Sequence, residues 1–349
     1  AQRLDKYGAK IGGPFYIVGG DDGNNRRYPD VAYNSKIDQY LIVWENEKMG
    51  GWKSIRARRV NGWGVPMDNT DIILTGDTNL YTPTKPAVAY GYTDNRYMVV
   101  WAETGHTLPL TYTIQAQKLI HDGNTEGPIF KVSEGTTQRS EPDIAYNRHA
   151  NRHLVVWEQY DNIAKLYDIK GRQVKGDGGV WTGGPEENYS YYTVDTINPA
   201  LASIPTSSGD IKFFLVYQAE YSSGSYDIYG KFLKEDGKLA STVHPTLGHN
   251  NQTAPAVAGS IGAQEYLVVC REDAGVMDKP IKARQYSSSG VDLGVTHELG
   301  GPATDNPAVA AGPLGDFLIA WQDQPIGATN EHIFGALLGY RNYVPLINQ

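Results

Sequence analysis

The chain has 349 residues and carries 31 Lys and Arg against 39 Asp and Glu, so its formal net charge is −8. A nucleic-acid-binding protein needs a clustered basic stripe, but the densest basic stretch here, IRARRV at 55–60, divides its arginines between two faces at strand period. No apolar window reaches transmembrane length. Composition therefore argues against nucleic acid as a partner and against insertion into a membrane by an apolar helix.

The first predicted elements are two strands at the N-terminus. Residues 1–18 (AQRLDKYGAKIGGPFYIV) align with residues 116–132 (AQKLIHDGNTEGPIFKV), which form the second half of a repeated unit. The chain thus opens with a hairpin that has no first and second strand before it. This suggests that a segment upstream of Ala1 has been removed.

Six copies of one unit follow this hairpin. They occupy residues 28–84, 85–140, 141–197, 198–253, 254–305 and 306–349, and their leading prolines are 57, 56, 57, 56 and 52 residues apart. An aromatic closes the apolar run of each unit except the fifth, where a cysteine replaces it: Trp44, Trp101, Trp157, Tyr217, Cys270 and Trp321. A fixed period of this length indicates a repeat architecture.

Each unit predicts four antiparallel strands. A short run such as PAVAY at 86–90 predicts the first strand, and a continuous apolar run such as YLIVW at 40–44 predicts a second strand buried on both faces. An alternating run such as TIQAQKLI at 113–120 predicts the third, and a weaker run such as PIFKV at 128–132 follows a Gly-bearing turn. Since no window shows a helical period, we predict an all-β chain folded as a six-bladed β-propeller of four-stranded antiparallel blades. A linear β-solenoid is the alternative geometry.

The repeat resembles one that is abundant in secreted and surface proteins of environmental bacteria. The resemblance rests on the pattern PAVAY…YLVVW(E/D)…DIYG(A/K)…DG and covers nearly the whole chain. It implies a secreted repeat β-propeller without a particular active site, because that family is defined by its blades. The fourth unit departs from the pattern at LVYQ (215–218), and the fifth departs at Cys270.

Two roles are open for the N-terminal hairpin. In a closed propeller, residues 15–18 (FYIV) would form the outer strand of the sixth blade, hiding a sheet edge and tying the two ends together. The C-terminal stretch YRNYVPLI at 340–347 is also suited to that position. In the second role, residues 1–18 pair with the sixth blade of a neighbouring molecule and build a filament by strand addition.

Acidic residues recur after the second predicted strand, at Glu45, Glu103, Glu158, Glu272 and Asp323. Such a ring of carboxylates suits Ca²⁺ or glycoside hydrolysis, but recurrence in nearly every blade favours a structural role, in which each caps a turn. Asp30 and Asp143 are less regular, because the other blades have alanine after the repeat proline. We predict that these two carboxylates face the central channel and are candidate ligands of a cation such as Ca²⁺.

Tyrosines crowd two segments that depart from the repeat. GGPEENYSYYTVDTI at 183–197 and AEYSSGSYDIY at 219–229 contain Tyr189, Tyr191, Tyr192, Tyr221 and Tyr226. Tyrosines among Ser, Asn and Gly offer flat apolar faces with hydroxyl groups, which suits sugar rings or a protein surface. We predict a ligand-binding loop face formed by these tyrosines together with Trp52 of the first unit. The alternative is that the tyrosines pack the loops against the rim.

Motifs of catalysis and nucleotide binding are missing from the sequence. It has no GxSxG, no HExxH, no phosphate-binding loop and no dinucleotide fingerprint. We expect a noncatalytic extracellular propeller, secreted or held at the cell surface, acting as a binding, adhesion or structural module with a glycan or a surface protein as partner. The alternative is an extracellular carbohydrate-active hydrolase or lyase, which needs convergent polar side chains that break the six-fold pattern.

Overall fold

The computed structural model describes residues 1–4, 9–19, 22–78, 80–179, 185–190, 193–204, 211–245, 250–275, 279–300, 304–312, 315–323, 332–339 and 343–346. Strands account for all the regular structure in these ranges, and four-stranded antiparallel sheets follow one another along the chain. No helix in the described part of the chain is long and apolar enough to cross a bilayer. The prediction of an all-β, six-bladed propeller is confirmed.

The chain divides into two compact units, one of Ala1–Arg3 with Gly12–Asn188 and one of Leu4–Ile11 with Tyr189–Gln349. Blades 1–3 lie in the first unit. Blade 1 contains β3 (Asn25–Asn34), β4 (Gln39–Glu47), β5 (Lys53–Asn61) and β6 (Ile72–Ile73). Blade 2 contains β7 (Tyr81–Gly91), β8 (Arg96–Gly105), β9 (Thr111–Ile120) and β10 (Thr125–Gly135). Blade 3 contains β11 (Arg139–Asn147), β12 (Arg152–Asp161), β13 (Leu166–Lys175) and β14 (Glu187–Asn188).

Blades 4–6 lie in the second unit. Blade 4 contains β15 (Thr196–Ser203), β16 (Ile211–Ser222), β17 (Ser225–Lys234) and β18 (Leu239–Val243). Blade 5 contains β19 (Asn251–Ser260), β20 (Glu265–Asp273), β21 (Ile281–Ser287) and β22 (Asp292–Leu299). Blade 6 contains β23 (Asp305–Ala311), β24 (Phe317–Asp323), β25 (His332–Leu338) and β26 (Tyr343–Leu346). Two short strands before blade 1, β1 (Arg3–Leu4) and β2 (Lys10–Ile11), form a two-stranded sheet.

The core lies between consecutive blades. In the first unit, Leu41, Val43 and Ile55 of blade 1 pack against Val99 and Trp101 of blade 2. In the second unit, the core between blades 4 and 5 is aromatic and includes Phe214, Phe232, Tyr266 and Tyr286. Cys270 belongs to the same core and is fully buried, as its apolar setting in the sequence predicts. The middle of each second strand is apolar, and Met98, Val99, Val100 and Trp101 of blade 2 are buried, as expected of a strand covered on both faces.

A β-bulge in every first strand explains the repeated proline. The proline and the residue before it stand opposite one residue of the second strand, and that single residue is the repeat aromatic or Cys270. The residue before the proline has a φ of 47–52° in all six blades: Tyr28, Lys85, Glu141, Asn198, Ala254 and Asn306. Since a positive φ before proline is disfavoured, each bulge holds a strained residue. The bulge bends and twists the first strand.

Residues 15–18 do not complete blade 6. The fourth strand of that blade is β26, which pairs with β25 from Leu338↔Tyr343 to Gly335↔Leu346. Residues 15–18 are not a strand; the carbonyl of Ile17 instead accepts a hydrogen bond of 2.6 Å from Arg58 of blade 1. The expectation that residues 15–18 form the outer strand of blade 6 is therefore wrong, because the C-terminal strand takes that position.

Candidate ligand-binding site at the bulge edge

In each blade, the bulge lies at the edge where the first strand begins, the second ends and the third begins. In blade 1, Asn25 pairs with Glu47, and Glu47 pairs with Lys53. We call this side of a blade the bulge edge, and the opposite side, where the first strand turns into the second, the turn edge. Side chains before the repeat proline and after the repeat aromatic are therefore brought together at the bulge edge.

Glu45, directly after the aromatic of blade 1, holds the bulge of blade 2. One oxygen of its buried carboxylate accepts the backbone N–H of Lys85 at 3.3 Å, and the other lies 2.7 Å from Nζ of Lys53. Gln218 makes the same contact in the second unit, where its side-chain oxygen accepts the N–H of Ala254 at 2.8 Å. This position of the repeat thus joins one blade to the next.

Lys85 lies at the centre of a charged cluster on blades 1–3. Its ammonium forms an ion pair with Glu141 and lies 5.1 Å from the centroid of the Tyr28 ring. Burial lowers the pKa of Lys85, while the negative charges of Glu158 and Glu45 oppose that change. We call this set the Lys85 cluster: Tyr28, Glu45, Lys53, Lys85, Glu141 and Glu158.

The Lys85 cluster combines an aromatic face with fixed charges. Tyr28 is 47% exposed, and Trp52, in the turn between β4 and β5 at the same edge of blade 1, is 52% exposed. Glu158 accepts a hydrogen bond of 2.9 Å from the hydroxyl of Ser140. Tyr28, Lys85 and Glu141 all occupy the position before the repeat proline, so three different side chains replace one another at equivalent sites. The cluster breaks the repeat pattern, as a specific ligand site requires.

Sequence reasoning missed Tyr28, Lys85 and Glu141. The available signal was the contrast between an invariant proline and a variable residue before it, which reads Tyr, Lys, Glu, Asn, Ala and Asn along the chain. Glu45 and Glu158 were noted as part of an acidic ring, but the expected turn caps are wrong for Glu45, which contacts the next blade. Glu103 bonds Trp101 and Gln115 within blade 2, and Glu272 bonds Lys282 and Asn250 in the second unit.

The predicted tyrosine face is only partly assembled. Tyr221 is a bulged residue near the end of β16 and is 53% exposed. Tyr226, at the start of β17, is partly exposed, and its backbone N–H donates to Asn251 at 2.6 Å. Tyr189 is buried, and its hydroxyl donates to the carbonyl of Gly237 at 2.8 Å. The expectation that Tyr189 offers a ligand-facing ring is wrong, because the ring packs inside the second unit.

Two further predicted residues, Tyr191 and Tyr192, lie outside the described residues. Trp52 belongs to the first unit, whereas Tyr221 and Tyr226 belong to the second. In the first unit, the accessible aromatic side chains at the bulge edge lie with the charges of the Lys85 cluster.

Asp30 and Asp143 serve the backbone of the first strands. The two oxygens of Asp30 accept the N–H of Val31 at 2.8 Å and that of Val88 in the next blade at 2.7 Å. Burial raises the pKa of Asp30 to about 6, although both hydrogen bonds favour the ionised form. Asp143 accepts the N–H of Ile144 at 2.7 Å. In the described part of the chain no group of three or more His, Cys, Asp or Glu side chains is placed to hold a metal. A cation at Asp30 and Asp143 stays a prediction.

Comparison with known proteins shows the fold alone. No family model and no curated protein matches the sequence. An α-L-arabinanase of Penicillium chrysogenum, solved with arabinobiose, matches with a TM-score of 0.63 at 12% identity, over 91% of this chain and 94% of that chain.

Two further solved structures match over the same share of the chain. A protein of unknown function from Dyadobacter fermentans has a TM-score of 0.61 at 9% identity, over 91% of this chain and 95% of its own. The NanB sialidase of Streptococcus pneumoniae has a TM-score of 0.61 at 6% identity, over 91% of this chain and 69% of its own. The chain therefore shares its propeller architecture with glycoside-cleaving enzymes and with a protein of unknown function.

Proposed function

We propose that this protein is a noncatalytic carbohydrate-binding propeller that acts outside the cell, and that it binds sugar at the bulge edge of blades 1–3. The observation that carries the proposal is the Lys85 cluster, in which an exposed tyrosine lies beside charges held on three successive blades. Sugar rings stack on flat aromatic faces, and their hydroxyls form strong hydrogen bonds with charged groups. Tyr28 and Trp52 supply the faces, and Lys85 and Glu141 supply the charges.

The pairing of the carboxylates favours binding over catalysis. Glycoside hydrolysis requires one protonated carboxyl as acid and a second carboxylate that is free to act as base or nucleophile. Both oxygens of Glu45 are engaged by Lys53 and by the amide of Lys85, and Glu141 is paired with Lys85. Glu45 is fully buried and serves the packing of the blades, whereas Glu141 keeps part of its side chain exposed and is the fixed acceptor for a sugar hydroxyl.

A hydrolase is the second candidate, and one observation favours it. The carboxylates of Glu45, Glu141 and Glu158 all lie close enough to Lys85 to pair with it or to raise its pKa. The solved arabinanase and sialidase show that this architecture accommodates glycoside cleavage. In this candidate Glu158 would be one of the reacting carboxyls.

Titration calorimetry and a reducing-sugar assay on the same protein separate the two candidates. The probes are arabinohexaose and sialyllactose, and the variants are Tyr28→Ala, Lys85→Gln and Glu158→Gln. Tyr16→Ala is the matched control, because Tyr16 is an 85% exposed tyrosine outside the cluster. Binding without release of sugar, weakened in Tyr28→Ala and Lys85→Gln and unchanged in Tyr16→Ala, supports the proposal.

The other outcomes of these two assays contradict the proposal of noncatalytic sugar binding. Sugar release that is lost in Glu158→Gln supports the hydrolase. If Tyr28→Ala and Lys85→Gln bind sugar as tightly as the native chain, the assignment to the bulge edge is overturned. If the native chain neither binds nor cleaves any member of a wider glycan panel, both candidates are overturned.

Secretion or surface display, a surface protein as partner, and membership of the secreted bacterial repeat family belong to the same proposal. They rest on the tyrosine-rich, cysteine-poor composition and on the repeat motif. Protease shaving of intact cells followed by mass spectrometry tests surface display: peptides of this chain are expected among the released fragments and not in the cytoplasmic fraction.

A further inference from the structure

The turn edges of blades 1–3 form a second surface, opposite the bulge edge. Residues 35–38, 92–95 and 148–151 connect the first and second strands of the three blades. The turns are joined by side-chain hydrogen bonds: Asn34 donates to Asn95 at 3.0 Å, and Asn151 donates to Asp94 at 2.7 Å. We call this the turn surface. Its parts are held in fixed positions because each turn is tied to the next.

Two cations from different blades meet on one aromatic ring of the turn surface. Nζ of Lys36, in the turn of blade 1, lies 4.6 Å from the centroid of Tyr92, in the turn of blade 2. Cζ of Arg148, in the turn of blade 3, lies 3.5 Å from the same centroid. Both basic side chains are exposed. Cation–π contacts hold each of them near the ring.

Neither cation has a carboxylate partner within the part of the chain that the structure describes. Several other basic side chains of the first unit are paired with carboxylates, as in Arg56–Asp77, Arg59–Asp68 and Arg96–Glu126. The acidic residues of the turns are engaged by other groups, since Asp38 accepts from the hydroxyl of Tyr33 and Asp94 accepts from Asn151. Two like charges on one ring repel each other, and a bound anion would relieve that repulsion.

The contact between Arg148 and Tyr92 leaves the donors of the guanidinium available. A separation of 3.5 Å between Cζ and the ring centroid is that of two stacked planes. Stacking uses the face of a guanidinium, and its N–H groups point outward in the plane, where they match the two oxygens of a carboxylate. Lys36 adds a second positive charge. Ser35 precedes Lys36 in the chain and Thr93 follows Tyr92, and both are exposed; the hydroxyl of Thr93 is hydrogen-bonded at 2.7 Å to that of Tyr146.

We propose that the turn surface binds the carboxylate of an acidic sugar, with Arg148 as the bidentate donor, Lys36 as the second cation and Tyr92 as the platform that positions them. Two cations match the one carboxylate of a uronic acid, whereas nucleic acid requires an extended basic stripe. The exposed hydroxyls of Ser35 and Thr93 suit a ligand that carries hydroxyl groups around its carboxylate. This site is separate from the bulge edge, so it stands or fails independently of the proposed function.

Titration calorimetry of the full chain with trigalacturonate, and with neutral galactotriose as comparison, tests the proposal. The variant is Lys36→Gln/Arg148→Gln, and the matched control is Lys234→Gln/Lys238→Gln, which removes two positive charges from blade 4. We expect trigalacturonate to bind more tightly than galactotriose and the site variant to weaken binding by at least about tenfold. The control variant is expected to bind as the native chain does.

Arg148→Lys distinguishes specific carboxylate binding from nonspecific electrostatic attraction, since it keeps the positive charge and removes the bidentate N–H donors of the guanidinium. We expect it to weaken trigalacturonate binding, whereas Lys36→Arg preserves binding. Circular dichroism of each variant checks folding. The proposal is overturned if trigalacturonate does not bind, if it binds the site and control variants equally, or if triglutamate binds as tightly through Lys36 and Arg148.

Discussion

The carboxylate of Glu45 in blade 1 accepts the backbone N–H of Lys85 in blade 2, and Lys85 in turn forms an ion pair with Glu141 in blade 3. The contact with Glu45 positions the backbone of Lys85, the strained bulge residue, and the contact with Glu141 holds the Lys85 side chain at the surface. The same position of the repeat thus stabilises the packing of the blades and orients the cluster to which we assign sugar binding. Stability and binding are therefore expected to respond differently to changes at Glu45 and at Lys85.

Glu45→Ala is expected to lower the free energy of unfolding by about 3 kcal/mol, because it leaves Lys53 without its partner and the amide of Lys85 without an acceptor. Glu45→Gln should cost less, since an amide oxygen can still accept this N–H, as Gln218 does from Ala254. Urea denaturation followed by tryptophan fluorescence measures both changes. Equal losses in the two variants would contradict a role for the N–H contact.

Asp30 is expected to make the protein less stable as pH rises from about 4 to about 6. Its pKa is raised from 3.8 to about 6 in the folded state, so the folded chain binds more protons than the unfolded chain in that window. A full shift would correspond to about 3 kcal/mol, and we expect about 2 kcal/mol because the side chain is partly exposed. Urea unfolding of the native chain and of Asp30→Asn at pH 4, 5, 6 and 7 gives the difference. If the difference in the free energy of unfolding between the two chains is the same at all four pH values, the raised pKa of Asp30 is refuted.

His153 is expected to act in the opposite direction. Burial lowers its pKa from 6.5 to about 3, and neither ring nitrogen has a hydrogen-bond partner among the described residues. The unfolded chain then binds more protons between pH 3 and 6.5, so this contribution to stability falls as the solution is acidified through that range. Tyr97 and Tyr266 occupy the equivalent place in blades 2 and 5.

His153→Phe should therefore raise the free energy of unfolding at pH 5 by about 1–3 kcal/mol and flatten its dependence on pH, since the buried, unpaired nitrogens are removed. Thermal unfolding of this variant and of His149→Phe, an exposed histidine in the neighbouring turn, tests the effect. A stabilisation of the same size in His149→Phe would point to a general effect of lost charge.

Repeat periodicity was sufficient to predict the number of blades and the strands within each. Pro29 and Trp44 recur because they face each other across a bulge, and this shared contact keeps their spacing constant. The Lys85–Glu141 ion pair was not predictable, because it depends on how closely two adjacent blades pack. Tyr189 looked like an exposed loop residue, but it is buried through a contact 48 residues away in sequence.

Removal of residues 1–18 is expected to lower the free energy of unfolding by about 1–3 kcal/mol, because Arg58 loses the carbonyl of Ile17 as an acceptor. The contact of Arg3 with the Trp63 ring is lost as well. Differential scanning calorimetry measures the loss, and light scattering of both chains tests strand donation. Filaments formed by the intact chain and not by the shortened one would support self-assembly through the hairpin. Equal mass in solution would argue against it.

The most direct test of the central claim is a glycan array probed with the native chain and with Tyr28→Ala at matched concentration. If the bulge edge of blades 1–3 binds sugar, the native chain gives a defined set of signals and Tyr28→Ala loses at least about nine-tenths of their intensity, as expected when a stacking face is removed. If the native chain gives no signals, or if Tyr28→Ala gives the same set at the same intensity, the Lys85 cluster is not a sugar-binding site.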